Sequence, residues 1–180
     1  MLTILGATGK IGGTAARELR AHGKAVRVVI RNASKAENLR RLGCEIAVAE
    51  YNDASKLSEA FSGSSAVLAL CPMNPRAVDA MVDHGQVIDA IMAAIEKAKP
   101  GAVVAISDYG AHEEIKGSIT SIFRMFEQRL SAVAASKTIL RSAEHMQNWG
   151  RLLFGATKSG AMPLFYGPAT RRFLWSLPPT

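Results

Sequence analysis

Short apolar runs alternate with helical patterns along most of this 180-residue chain, and that alternation constrains its fold more than any other feature. The runs "LTIL" (2–5), "AVRVVI" (25–30), "EIAVAE" (45–50), "SAVLALC" (65–71) and "AVVAIS" (102–107) are rich in Val, Ile, Leu and Ala. Gly, Pro, Asn, Asp or Ser stands within two residues of their ends, which predicts strands. Between them the pattern turns helical. "IGGTAARELRAHG" is closed by Gly23, "SKAENLRRLG" (34–43) starts on Ser34 as N-cap and stops at Gly43, and "DASKLSEAFSG" starts on Asp53. A long helix is predicted over 76–98, another near 120–134, and "TILR" (138–141) reads as a short sixth strand. Nearly continuous apolar strands joined by helices suit a parallel sheet covered on both faces. Right-handed crossovers then give an α/β doubly wound sheet in the order 3-2-1-4-5, with the short strand beyond. Ligands of such sheets sit at the carboxyl ends of strands one and four.

The first turn narrows the ligand class. In "LTILGATGKIGG", Gly6, Gly9 and Gly12 stand at G-x-x-G-x-x-G spacing between a strand and a helix, the arrangement of a dinucleotide-binding turn. Glycines permit the tight turn and the close approach of backbone amides to a pyrophosphate, whose charge the helix N-terminus favours. The second strand ends in "VVIRNASK". An NAD-selective protein would carry an acidic side chain there to accept from the ribose hydroxyls. Arg31 stands there instead, and a guanidinium suits the adenosine 2′-phosphate through paired charge-assisted hydrogen bonds. Lys10 in the glycine turn and Lys35 add positive charge. NADP(H) is the expected cofactor, ahead of NAD(H); the bland alternative for Arg31 is a solvated charge at a strand end.

Composition excludes several classes. With 48% hydrophobic and 21% charged residues, the chain reads as an ordinary globular protein with no apolar run long enough to span a bilayer. The N-terminus is already strand one rather than a signal peptide, so a cytoplasmic location is expected. Cys44 and Cys71 fall on different predicted strands without CxxC spacing, and the four histidines show no metal-ligand spacing, so no metal is expected. The net charge of +7 invites a nucleic-acid partner, but Lys and Arg are scattered and no basic run of five occurs.

"GATGKIG", "VVIRNASKA", "VLALCP", "SDYGAH" and "TILRSAEHMQNW" follow one another in the order found in the NmrA-like branch of atypical short-chain dehydrogenase/reductases, and the chain resembles that family from residue 1 to about 170. The resemblance implies a Rossmann-like NAD(P)-binding domain over 1–149 and the remnant of a smaller substrate-side lobe over 150–180. It implies that Gly6, Thr8, Gly9, Lys10, Ile11, Arg31, Asp53, Leu70 and Pro72 line the cofactor. Ser107 and Tyr109 would face its nicotinamide end. Arg141, His145 and Asn148 match the family's R-P-G-x-F-x-x-N region beside the substrate, with Ser142 and Ala143 in place of Pro-Gly.

The superfamily's Tyr-x-x-x-Lys pair is missing. Four positions after the three tyrosines stand Ser55, Glu113 and Thr170. Glu127 matches a family glutamate, and Phe123 falls where extended relatives often keep a lysine. Arg124 is adjacent, but a helix turns about 100° per residue, so it cannot simply substitute. Tyr109 is the candidate proton donor or orienting group, against a half-buried loop tyrosine. His84 and His112 read as surface or helix-packing residues. Two functions therefore stay open. One is an NADPH-dependent reductase of a small electrophile such as a quinone, which needs little proton assistance. The other is a non-catalytic NADP(H)-binding redox sensor acting through a regulatory protein partner. Self-association into a homo-oligomer fits either.

The end of the chain, "RRFLWSLPPT", departs from the family, whose members continue through a stretch resembling F-P-M-V-A-T-A-D. Restoring one base before the Leu174 codon lets Leu-Trp-Ser-Leu-Pro-Pro-Thr be reread as Pro-Met-Val-Ala-Thr-Ala-Asp, with the TGG of Trp175 forcing the Val. Residues 174–180 are accordingly expected to be out-of-frame sequence on a truncated chain. Phe154, Phe165, Phe173 and Trp175 would then lack the lobe they pack against.

Overall fold

The computed structural model describes residues 1–71, Asn74, 77–113, 119–160 and the pair Trp175–Ser176, and for 144–149, 151 and 175–176 its backbone course alone. Six parallel strands form one sheet in the order β3-β2-β1-β4-β5-β6, as the alternation of runs predicts. They are β1 (Leu2–Leu5), β2 (Val26–Ile30), β3 (Glu45–Val48), β4 (Ala66–Leu70), β5 (Val103–Asp108) and β6 (Lys137–Ser142). The connecting helices are α1 (Lys10–Ala21), α2 (Glu37–Arg41), α3 (Ala54–Phe61), α4 (Ala80–Ala98) and α5 (Ile119–Ala132). A sixth helix, α6 (Met146–Ser159), follows a short parallel ladder between β7 (Glu144–His145) and β8 (Trp175–Ser176).

Successive strand residues face opposite sides of a sheet, so β1 to β4 each feed two cores. Ile4, Val28 and Ile30 pack with Ala16 and Leu39 beneath α1 and α2, while Leu5, Val29, Val67 and Val103 pack with Leu57, Ile88, Ile91 and Phe126 beneath α3, α4 and α5. That two-sided burial is why the strands lack alternation of apolar and polar residues. The residue-by-residue pairing of Ile30 with Val48 and of Ser107 with Arg141 fixes which side chains meet where the strands end.

Several local expectations need correction. The helix predicted over 34–43 is a 3₁₀ turn (Ala33–Lys35) followed by α2, and its cap is not Ser34. The Asn32 side chain accepts from the Ser34 amide at 2.9 Å, because an Asx side chain reaches the amide two residues on. The long helix starts at Ala80 rather than 76, since the Asp79 carboxylate caps it through the Met81 and Val82 amides. Beyond Gly150, where the apolar periodicity fades, α6 runs on to Ser159. The expectations about Phe165 and Phe173, and about the Trp175 side chain, lie outside the described residues.

Candidate functional site

The carboxyl ends of β1, β2, β4, β5 and β6 surround a cavity of about 600 Å³, and the glycine turn forms one wall of it through Gly6, Thr8, Gly9, Lys10, Ile11 and Gly12. Gly6 turns the chain at φ +72°, a conformation that disfavours a side chain, and its carbonyl accepts from the Gly9 amide at 2.9 Å. At Gly12 a Cβ would stand 2.6 Å from that same carbonyl oxygen, so α1 approaches β1 as closely as only glycine allows. Gly9 enters α1 in an extended conformation with no side-chain cap, and the first turn carries no acidic residue. The helix therefore presents unpartnered amides and the positive end of its dipole to the cavity, which suits an anion.

Arg31 joins the wall just beyond β2, and Tyr51 stands beside it. The Arg31 guanidinium carbon lies 5.2 Å from the centroid of the Tyr51 ring, a cation–π contact. Among the described residues Arg31 has no carboxylate partner, so its charge is available to a ligand. Burial pushes the Tyr51 hydroxyl above its ordinary pKa, opposed by the nearby Arg31 charge and by the Gly6 amide.

The opposite wall comes from Leu70, Cys71, Ile106, Ser107 and Asp108 at the ends of β4 and β5, from Ser142 and Ala143 after β6, and from Ile119 and Phe123 of α5. Ser107 Oγ is buried and, among the described residues, makes no well-formed hydrogen bond, although it stands near enough to Glu127 to favour that carboxylate. A buried hydroxyl without a partner is costly and suits a ligand atom not drawn from the chain. The Glu127 carboxylate takes a bidentate pair of bonds from Arg141, at 2.9 Å from Nε and 2.6 Å from the terminal nitrogen. That pairing, ahead of the opposing effect of burial, holds Glu127 below the usual carboxylate range. Burial pushes the Cys71 thiol up to about 12, so it is not a thiolate at neutral pH.

The structure therefore brings Gly6, Thr8, Gly9, Lys10, Ile11, Arg31, Leu70 and Ser107 together around one cavity. Four other candidates stand off it. Asp53 spends its carboxylate capping α3 through the Lys56 amide at 3.0 Å, and Lys35 leaves on the exposed 3₁₀ turn. Arg141 is committed to Glu127. Tyr109, about half exposed, leans edge-on against His112 at 6.1 Å while its amide is tied to the Ser142 carbonyl. Pro72 and the side chains of His145 and Asn148 lie outside the described residues. Of the two other histidines considered above, His112 is exposed and His84 is buried in α4. There Nδ1 donates to the Ala80 carbonyl at 2.6 Å, and Nε2 accepts from the Asn74 amide at 2.9 Å. Tyr51, Cys71, Asp108 and Ile119 carry no local signal of a site. Strand-end register would have found Tyr51, Cys71 and Asp108, whereas Ile119 comes from the first turn of α5.

Residues 6–152 match the sequence profile of a family described as NAD(P)H-binding. An NmrA-like family domain-containing oxidoreductase of Aspergillus campestris is 46% identical over 67 residues, which are 36% of this chain and 20% of that protein. Among solved structures, the Citrobacter sp. triphenylmethane reductase complexed with NADP(H) superposes with a TM-score of 0.77 at 22% identity, covering 90% of this chain and 56% of that one. The NADPH-dependent quinone oxidoreductase of Escherichia coli, complexed with NADPH, gives 0.75 at 21% identity, covering 89% and 55%. The chain thus spans little more than half the length of these two proteins.

Proposed function

The chain belongs to the NAD(P)H-binding family, and from that premise we propose that it is an oxidoreductase of NmrA-like kind, whose cavity binds NADP(H) in preference to NAD(H) and serves reduction of a small electrophile such as a quinone. The observation that carries this reading is Arg31, on the cavity wall and, among the described residues, without a carboxylate partner, where selection of NAD would call for an acid. The uncapped α1 and the Gly6–Gly12 approach would hold the pyrophosphate. Arg31 and Lys10 would neutralise the 2′-phosphate, and the Ser107 hydroxyl would bond the nicotinamide end. When bound, NADPH supplies a hydride; the organic chemistry is the cofactor's own.

The chain's task is then to orient the acceptor and keep water away from it. Leu70, Ile106, Ile119 and Phe123 give the far wall an apolar surface that suits a flat, conjugated acceptor better than a sugar or a carboxylic acid. Ile119 and Phe123 stand four apart on α5, a spacing at which the superfamily uses Tyr and Lys, so this wall offers no proton from there. A quinone-like electrophile tolerates that lack.

The same apolar wall favours the second reading, a sensor that binds NADP(H) without turnover and reports to a protein partner. Consumption of NADPH followed at 340 nm with a panel of quinones separates the two. Turnover above the background with free cofactor supports the reductase. Cofactor binding without turnover in a chain extended to the length of its relatives supports the sensor.

A further inference from the structure

We propose that Tyr51 is a positioning residue for cofactor selectivity: its ring holds the Arg31 guanidinium where the 2′-phosphate would be gripped. This rests on the reading of Arg31 given above and goes beyond it. Tyr51 is 6% exposed and belongs to the core cluster with Leu5, Val29 and Leu57, so its place is set by packing and not by Arg31. The β2–β3 ladder pairs Ile30 with Val48 and extends to the Ala49 amide on the Ile30 carbonyl at 3.1 Å, which brings the chain after each strand to the same corner of the sheet. Arg31 is exposed on that corner and, among the described residues, has no ion-pair partner to fix it. What it has is the Tyr51 ring, 5.2 Å from its guanidinium carbon, and both residues line the cavity. A long cationic side chain with a rigid ring beneath it loses less freedom when a phosphate arrives than one that samples solvent.

A positioning role makes a specific prediction. Removing the ring should weaken NADPH and leave NADH alone, because only NADPH carries the phosphate that Arg31 would grip. For an exposed cation–π contact the expected fall in the NADPH-over-NADH preference is about two- to fivefold. Calorimetric titration of the full chain with each cofactor would be run on the parent, Tyr51→Phe, Tyr51→Leu, Arg31→Ala and the double variant Arg31→Ala/Tyr51→Leu. Tyr51→Phe keeps the ring and should keep the preference. Tyr51→Leu should lose part of it, and should lose nothing further once Arg31 is already Ala. Should the Leu variant fail to fold, pentafluorophenylalanine at position 51 keeps the ring's shape while reversing its quadrupole, and the same partial loss is expected. Equal weakening of both cofactors would mean a merely structural role and would overturn the proposal, as would an unchanged preference in Tyr51→Leu. A parent chain with no preference at all would instead remove the Arg31 reading on which it rests.

Discussion

Substituting Gly12 by Ala tests whether the glycine turn is shaped for a ligand or is only a tight connection. The added Cβ would lie 2.6 Å from the Gly6 carbonyl oxygen, 2.9 Å from its carbon and 3.0 Å from Ala7 Cα. Ordinary contact begins near 3.4 Å, so the shortfall is about 0.8 Å, and every atom in the way is backbone that no rotamer can move. Relief requires α1 to slide from β1, at an overpacking cost of about 3 kcal/mol, the upper end of the usual range. Ala improves helix propensity by about 1 kcal/mol, which leaves a net loss of about 2 kcal/mol. For a domain of this size that lowers the melting temperature by roughly 4–8 °C. The same slide carries the first-turn amides away from the phosphate position, and NADPH affinity should fall at least about tenfold, or 1.4 kcal/mol. Gly23→Ala is the control. Gly23 has φ +69° with nothing within 4 Å of a built Cβ, so its cost is conformational strain of about 1–2 kcal/mol, remote from the cavity. Thermal melts and cofactor titration should show both variants destabilised and only Gly12→Ala impaired in binding. A Gly12→Ala protein that melts higher than the parent and binds NADPH normally would refute the reasoning.

Three further outcomes follow from the site. Glu127 has its pKa lowered by Arg141, so its contribution to stability is present above the ordinary carboxylate range and is lost as pH falls through its own depressed value. Glu127→Gln should therefore melt below the parent at pH 7, with the gap closing below about pH 4 when melts are compared across pH. Burial raises both the Cys44 and Cys71 thiols, so mass spectrometry after iodoacetamide at pH 8 should find them unmodified in the folded chain and alkylated in denaturant. Tyr109→Phe should reduce any quinone turnover less than about tenfold, because the ring stands off the cavity wall. A loss of about a thousandfold, within the span of general acid–base catalysis, would make Tyr109 an essential acid.

The centre of the sheet was legible because its inner strands are largely buried and read as nearly continuous apolar runs, broken within β2 only by Arg27. The glycine turn and the place of Arg31 on the cavity wall were legible because each depends on residues adjacent in sequence at a strand end. What escaped depends on distant pairing. Tyr51 reaches Arg31 only because Ile30 pairs with Val48, and a shift of one residue would have turned it away. Asp53 was rightly read as the α3 cap, and that same bond explains why its carboxylate is not on the wall. His84 was read as a surface or helix-packing residue and packs in α4, but its bond to the Asn74 amide, ten residues away, had no sequence signal. Tyr109 lies one residue beyond β5, where a strand's alternation no longer dictates which way a side chain faces.

The central claim is that this cavity selects NADP(H) through Arg31. Calorimetric titration of the chain with NADPH and with NADH, before and after Arg31→Ala, tests it most directly. NADPH should bind at least about tenfold tighter than NADH, as expected when a charged 2′-phosphate meets a positioned guanidinium, and Arg31→Ala should remove most of that difference by weakening NADPH alone. Equal affinities for the two cofactors in the parent chain would contradict it.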